Sequence, residues 1–178
     1  MKKFTILFAV IFLSATGFAQ KKSSSLERQN VIKVNPLGII FGIAGVSYER
    51  VIDSKSSVQF DANFGGLSVS GNKYTNLGAG INYRRFFGAS SEAPKGIYIS
   101  PGIGVLNSKV KVGSSSGSST GVTFKGVLGN QWVFNSGFSI DVNAGIQYAN
   151  ITPKINNVAY DKYSGVFAAV GFSLGYAF

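Results

Sequence analysis

This chain of 178 residues carries a formal net charge of +10, yet only 13% of its residues are charged, where an ordinary soluble domain has about 25%. Its 23 glycines, 15 phenylalanines and 8 tyrosines are accompanied by no cysteine and no histidine. Disulfide scaffolds are thereby excluded, transition-metal sites and His-dependent catalysis lose their usual groups, and water is not expected to be the only solvent of the fold.

At the amino terminus Met1-Lys2-Lys3 leads into FTILFAVIFL and then SATGFA, with Gly17 and Ala19 where a signal peptidase reads small residues. The pattern predicts a Sec-exported chain with a signal peptide over 1–19, cleaved after Ala19. The apolar run is short for a transmembrane helix, and no later stretch approaches the roughly 20 apolar residues of a helical span. No cysteine follows the signal, so no lipoprotein anchor is expected. Residues 20–29, QKKSSSLERQ, read as a short polar leader in the periplasm, and 30–178 as one domain. Losing Lys2 and Lys3 lowers the charge from +10 to +8. An exported chain rarely meets nucleic acid, so this basic balance suits anionic lipid head groups instead, and no nucleic-acid partner is expected.

After residue 30, alternation with period two replaces helical periodicity. It predicts strands at 31–41, 45–53, 57–66, 74–87, 96–112, 121–134, 137–150 and 164–178. Most reach the 9 to 11 residues that cross a bilayer at a tilt. In the last, Val166, Ala168, Val170, Phe172, Leu174, Tyr176 and Phe178 form a greasy face opposite a small one. Connections at 53–56, 88–95 and 135–136 read as short periplasmic turns. Those at 67–73, the Ser-rich 113–119 and 150–163 read as longer outer loops, with 42–44 as a short exception. An open sheet edge in lipid would leave backbone groups unpaired, so the fold expected is all-β: an eight-stranded antiparallel up-and-down transmembrane β-barrel.

Outward-phase cations should lie only near the membrane edges: Arg50 and Arg85 close to turns, Lys109 and Lys111 at the outer end of the fifth strand. Tyr48, Tyr83, Phe87, Trp132, Phe134, Phe138 and Tyr176, together with Phe178, should gather as a periplasmic aromatic girdle. Pro36, Pro101 and Asn130 fit badly and would need bulges or strand ends. Inward-phase charges form the one constellation with chemical content: Lys33, Glu49, Asp61, Arg84, Lys125 and Asp141. Three cations with three anions predict a salt-bridge network filling the lumen, the alternative being separately hydrated charges in a wet lumen. Lys73, Lys109, Lys111, Lys154 and Lys162 form a basic outer rim.

Neither arrangement is catalytic. No enzyme activity, metal or cofactor is expected, and Ser114 to Ser119 reads as a flexible loop. Glycine runs such as Gly78-Ala79-Gly80 and Gly102-Ile103-Gly104 lie mid-strand without a following helix, so they make room rather than bind phosphate.

The signal peptide, the alternating segments, Val46-Ser47-Tyr48-Glu49-Arg50 and the terminal Phe172-x-x-x-Tyr176-x-Phe178 resemble the small outer-membrane β-barrel proteins of diderm (Gram-negative) bacteria, the porin-like OmpA/OmpX/OmpW class. That resemblance implies residence in the cell outer membrane among its lipids and lipopolysaccharide. It further implies recognition of Tyr176 and Phe178 by the barrel-assembly machinery, and no wall tethering through an appended peptidoglycan-binding domain. The function expected is structural or accessory, as a subunit of a larger outer-membrane complex or a presenter of surface loops. The alternatives are OmpW-like passage of a small hydrophobic molecule, and an adhesin or lipopolysaccharide-binding surface.

Overall fold

The computed structural model describes residues 28–40, 42–156 and 158–178; the expected signal peptide and leader residues 20–27 lie outside the described residues. The strands are β1 (Asn30–Asn35), β2 (Ile43–Asp53), β3 (Ser56–Val69), β4 (Asn72–Glu92), β5 (Lys95–Val112), β6 (Ser115–Val133), β7 (Phe138–Ile155), β8 (Val158–Ala159) and β9 (Tyr163–Ala177). One five-residue helical turn, α1 (Pro36–Ile40), joins β1 to β2. No helix among the described residues is long and apolar enough to cross a membrane.

Each long strand pairs antiparallel with its predecessor, β6 pairs β7, and β9 pairs both β7 and β1, so eight strands close a ring; β8 is a two-residue strand held by β7 alone. Period-two alternation then gives the ring two faces. Inside lie Lys33, Glu49, Gln59, Arg84, Tyr98, Gln131 and Asp141, all nearly inaccessible, while Leu77, Ile146 and Val170 stand on the outside, exposed by 63%, 63% and 82%.

The ring ends differ from the sequence expectation. Strands β3 and β4 meet at Ser70-Gly71, both with positive φ (49° and 80°), which is the type I′ geometry that matches strand twist. β5 and β6 meet at Gly113-Ser114, with Gly113 at φ 58°. The long outer loops expected at 67–73 and 113–119 are therefore two-residue turns, and Ser115 to Ser119 is strand. Hydrogen-bonded hairpins carry these residues past the apolar part of the strands, where no hydrophobic alternation marks them. β7 likewise runs to Ile155, and Asn156 is clasped by Ser116 through Asn156 N–H to Ser116 O at 2.8 Å and Ser116 N–H to Asn156 Oδ1 at 3.0 Å. At this end only the connections 36–42 and 156–162 are longer than two residues, so the expected length asymmetry rests on those two alone.

The first strand is also corrected. It ends at Asn35, not 41, because Pro36 occupies the first position of α1 and Asn35 Oδ1 accepts the Gly38 N–H at 3.1 Å as an N-cap. No bulge forms at Pro101 or Asn130. The β4–β5 ladder skips Tyr83 and Arg84 opposite Ser100 and Pro101 without changing register, and Asn130 pairs in register on the outer face; the register shifts lie at Val51/Asp53 and Phe87/Glu92.

Because β1 is short, ring closure is confined to one end. β9 pairs β1 only from Leu174 to Ala177, so among the described residues its Tyr163–Ser173 stretch is hydrogen-bonded to β7 alone. A seam remains there, flanked by α1. At the closed end the termini are tied: Asn30 N–H donates to Phe178 O at 3.0 Å and Phe178 N–H to Asn30 O at 2.9 Å. Arg28 donates to the carbonyls of Phe134 and Asn135 in the β6–β7 turn.

Candidate functional site: the charged interior

Strands β1, β2, β4 and β7 each deliver one inward charge at the same level. Lys33 Nζ lies 2.6 Å from Glu49 Oε2 and 2.8 Å from Asp141 Oδ2; Arg84 Nη1 lies 2.6 Å from Asp141 Oδ2 and 3.6 Å from Glu49 Oε2. All four are almost completely inaccessible, so each charge needs its partners. Neutral donors and acceptors complete the set. Lys33 Nζ donates to Gln59 Oε1 and Gln131 Oε1, Gln131 Nε2 donates to Glu49 Oε2 at 3.1 Å, and Ser57 Oγ donates to Glu49 Oε1.

Asp61 and Lys125 stand apart from this quartet. Their 3.2 Å pair lies further from the closed end and is wetter, with side chains 16% and 31% exposed. Gln59 links the two groups by accepting from Lys33 and donating to Asp61 Oδ1 at 2.6 Å, and Asn82 Nδ2 donates to Asp61 Oδ2 at 2.7 Å.

Beneath the quartet sits an aromatic plug. The Tyr98 hydroxyl donates to Asp141 Oδ1, the Arg84 guanidinium carbon stands 4.3 Å from the Tyr98 ring centroid, and Phe86 meets that ring at 5.4 Å and 54°. Val51, Ala93 and Val127 pack around it, Ala93 being held by its N–H to Ser54 O at 2.9 Å. These side chains fill the interior beneath the charges. Above them it holds polar cavities of about 210 and 360 Å³, the larger reaching β9 at Ala168 and Val170 beside the seam.

Sequence reasoning missed Tyr98, Phe86, Gln59 and Gln131. Tyr98 carried a readable signal: it shares the inward phase with Ser100 and Gly102 and pairs directly with Gly129, where an added Cβ would come within 2.5 Å of the Tyr98 ring.

On the outer face the expected girdle residues Tyr48, Tyr83, Phe87, Trp132, Phe134, Phe138 and Tyr176 all lie toward the closed end; Phe134 and Phe138 stack at 5.9 Å. Polar partners accompany them. Tyr48 Oη and Arg50 Nη1 donate to Asn30 Oδ1, and Arg85 Nη1 donates to Ser56 Oγ, which bonds Tyr83 Oη. The basic-rim residues Lys73, Lys109, Lys111, Lys154 and Lys162 lie at the opposite end, Lys162 in the β8–β9 connection.

No protein-family model, curated protein or solved structure matches this chain. No group of His, Cys, Asp or Glu with metal-holding geometry exists among the described residues. The arrangement is one of mutual neutralisation, in which the four buried charges are matched. Chemically it can hold strands together and block a passage.

Proposed function

We propose that this chain is an integral β-barrel protein of the bacterial outer membrane, with a sealed lumen and a structural or accessory role. The observation that carries this reading is the inverted partition of its side chains. Charges and amides fill the fully buried sites while large apolar side chains cover the outside, the opposite of a domain folded in water. Along β6 the outer apolar residues run from Trp132 to Val122, with Asn130 and Gly126 between; these eleven positions span about 25 Å once a strand is tilted by about 40°. The secretion-like amino terminus and the terminal Tyr176-x-Phe178 pattern support the outer membrane, and lipid, lipopolysaccharide and the assembly machinery are the partners this location implies.

The seam favours an accessory role. In hydrocarbon, each unpaired backbone group along β9 from Tyr163 to Ser173 costs several kcal/mol, so a neighbouring protein covering that edge is strongly stabilised there. Single-channel recording tests the sealed lumen: pure protein in a planar bilayer should give no steady conductance, and uniform channels would overturn the plugged reading.

One observation favours a second reading, the lateral passage of a small apolar molecule. The interior cavity bounded by Ala168 and Val170 opens beside the seam. Faster transfer of an apolar dye into protein-containing vesicles would support passage, and transfer equal to that of empty vesicles would exclude it.

A further inference from the structure

Three adjacent strands change character together along their outer faces. On β5 the outward positions run Val105, Asn107, Lys109, Lys111; on β6, Phe124, Val122, Thr120, Ser118, Ser116; on β7, Tyr148, Asn150, Thr152, Lys154. Apolar side chains give way to amides and hydroxyls, and on β5 and β7 these give way to lysines, within about four residues, or about 13 Å of strand. The apolar part is not a flat wall. It is an open groove of about 920 Å³ in which Val105, Val122, Phe124 and Tyr148 form the apolar lining and Thr120 and Thr152 its polar end, with Lys162 also lining it.

At the polar end the charges are crowded. Lys73 and Lys111 are direct cross-strand partners, and the neighbouring row reads Thr75, Lys109, Ser118, Lys154 across β4 to β7. Like charges placed opposite each other on a sheet repel, yet none of these lysines forms an ion pair within the described chain. Asp161 is the single carboxylate in the described connections at this end. Lys73, Lys109 and Lys111 instead share a cleft with the hydroxyls of Thr75, Ser116 and Ser118, which is donor chemistry for phosphate oxygens.

We propose that this face is a binding site for an anionic membrane lipid, with acyl chain in the apolar groove and phosphate head group among Lys73, Lys109, Lys111 and Lys154. The inference rests on the membrane reading above and adds a specific ligand class to it. A soluble phosphate would use the lysines but leave the groove empty. A zwitterionic lipid would fill the groove but leave the lysines uncompensated.

The test is native mass spectrometry of the protein refolded into micelles containing equal phosphatidylglycerol and phosphatidylcholine, with the heat-dependent gel shift of a folded barrel as a control. Failure to fold in any lipid would overturn the membrane reading itself. Once the protein is folded, the site predicts a retained phosphatidylglycerol adduct that inorganic phosphate does not displace. Lys109→Gln and Lys111→Gln should each weaken it about fivefold, the equivalent of about 1 kcal/mol per lysine at a membrane surface. Thr120→Trp, which fills the groove without touching charge, should weaken it too, whereas Lys55→Gln with Lys95→Gln at the other end should not. Equal retention of both lipids, displacement by free phosphate, or an adduct unchanged by both lysine substitutions would overturn the proposal.

Discussion

The ring of Tyr98 lies directly beneath the guanidinium of Arg84, 4.3 Å from its central carbon, and its hydroxyl donates to the same Asp141 that Arg84 pairs with. One aromatic side chain thus fills the space beneath the charges and completes their network electrostatically. Its room comes from Gly129 across the β5–β6 ladder.

That arrangement separates two contributions of Tyr98. Tyr98→Phe keeps the plug and removes one hydrogen bond to a charged group, with an expected loss of about 1.5–3 kcal/mol. Tyr98→Ala also empties the space, with an expected loss of about 3–5 kcal/mol. Gly129→Ala should cost about 1–3 kcal/mol by overpacking, and the part due to the ring should vanish in the Tyr98→Ala background, leaving the added Cβ's 2.8 Å approach to Asn143 Cβ. A double-mutant cycle from urea melts, followed by the fluorescence of Trp132, the chain's single tryptophan, measures each value.

Lys33 and Lys125 offer a contrast within one lumen. Lys33→Met leaves Glu49 and Asp141 to share Arg84 as their one cation where neither reaches water, and should cost about 3–5 kcal/mol. Lys125→Met breaks a partly exposed pair and should cost under about 1 kcal/mol. Equal losses for the two would show that the quartet is hydrated.

Removing the plug should open the lumen. Tyr98→Ala with Arg84→Ala deletes the aromatic and the cation above it, leaving the polar cavities to connect with the closed end. Planar-bilayer recording should detect conductance in this variant and none in the parent. Silence in both would mean that Phe86 and the Ala93 turn seal the lumen alone.

The terminal residue should act mainly during assembly. Phe178→Asp retains the backbone bonds to Asn30 and changes only a half-exposed outer side chain. Membrane insertion should slow markedly while the urea midpoint of folded protein moves little; comparable changes in both would contradict an assembly role.

Period-two alternation made the strands legible wherever apolar residues marked one face. It failed at Ser115 to Ser119, where neither face is apolar and the low-complexity run reads as a loop, although Gly113 already announced a tight turn. Pro36 misfits a strand, and Asn35-Pro36 is itself a helix-start signal that ends the first strand at Asn35. Lys33, Glu49, Arg84 and Asp141 were legible as inward charges because burial of ions requires opposite partners. Their amide bridges, Gln59 and Gln131, carry no charge and so gave no comparable mark. The seam depends on how far β1 extends beside β9, a tertiary relation that strand patterns do not encode.

The most direct test of the central claim, that the outer face meets lipid while the charged face is internal, uses the absence of native cysteine. Single cysteines at Val122, Phe124, Leu128, Val142 and Ile146 should resist a charged aqueous maleimide once the protein is folded in vesicles, while cysteines at Ser116 and Ser118 react readily. Rapid labelling of the first set in the vesicle-bound, folded protein would contradict the account.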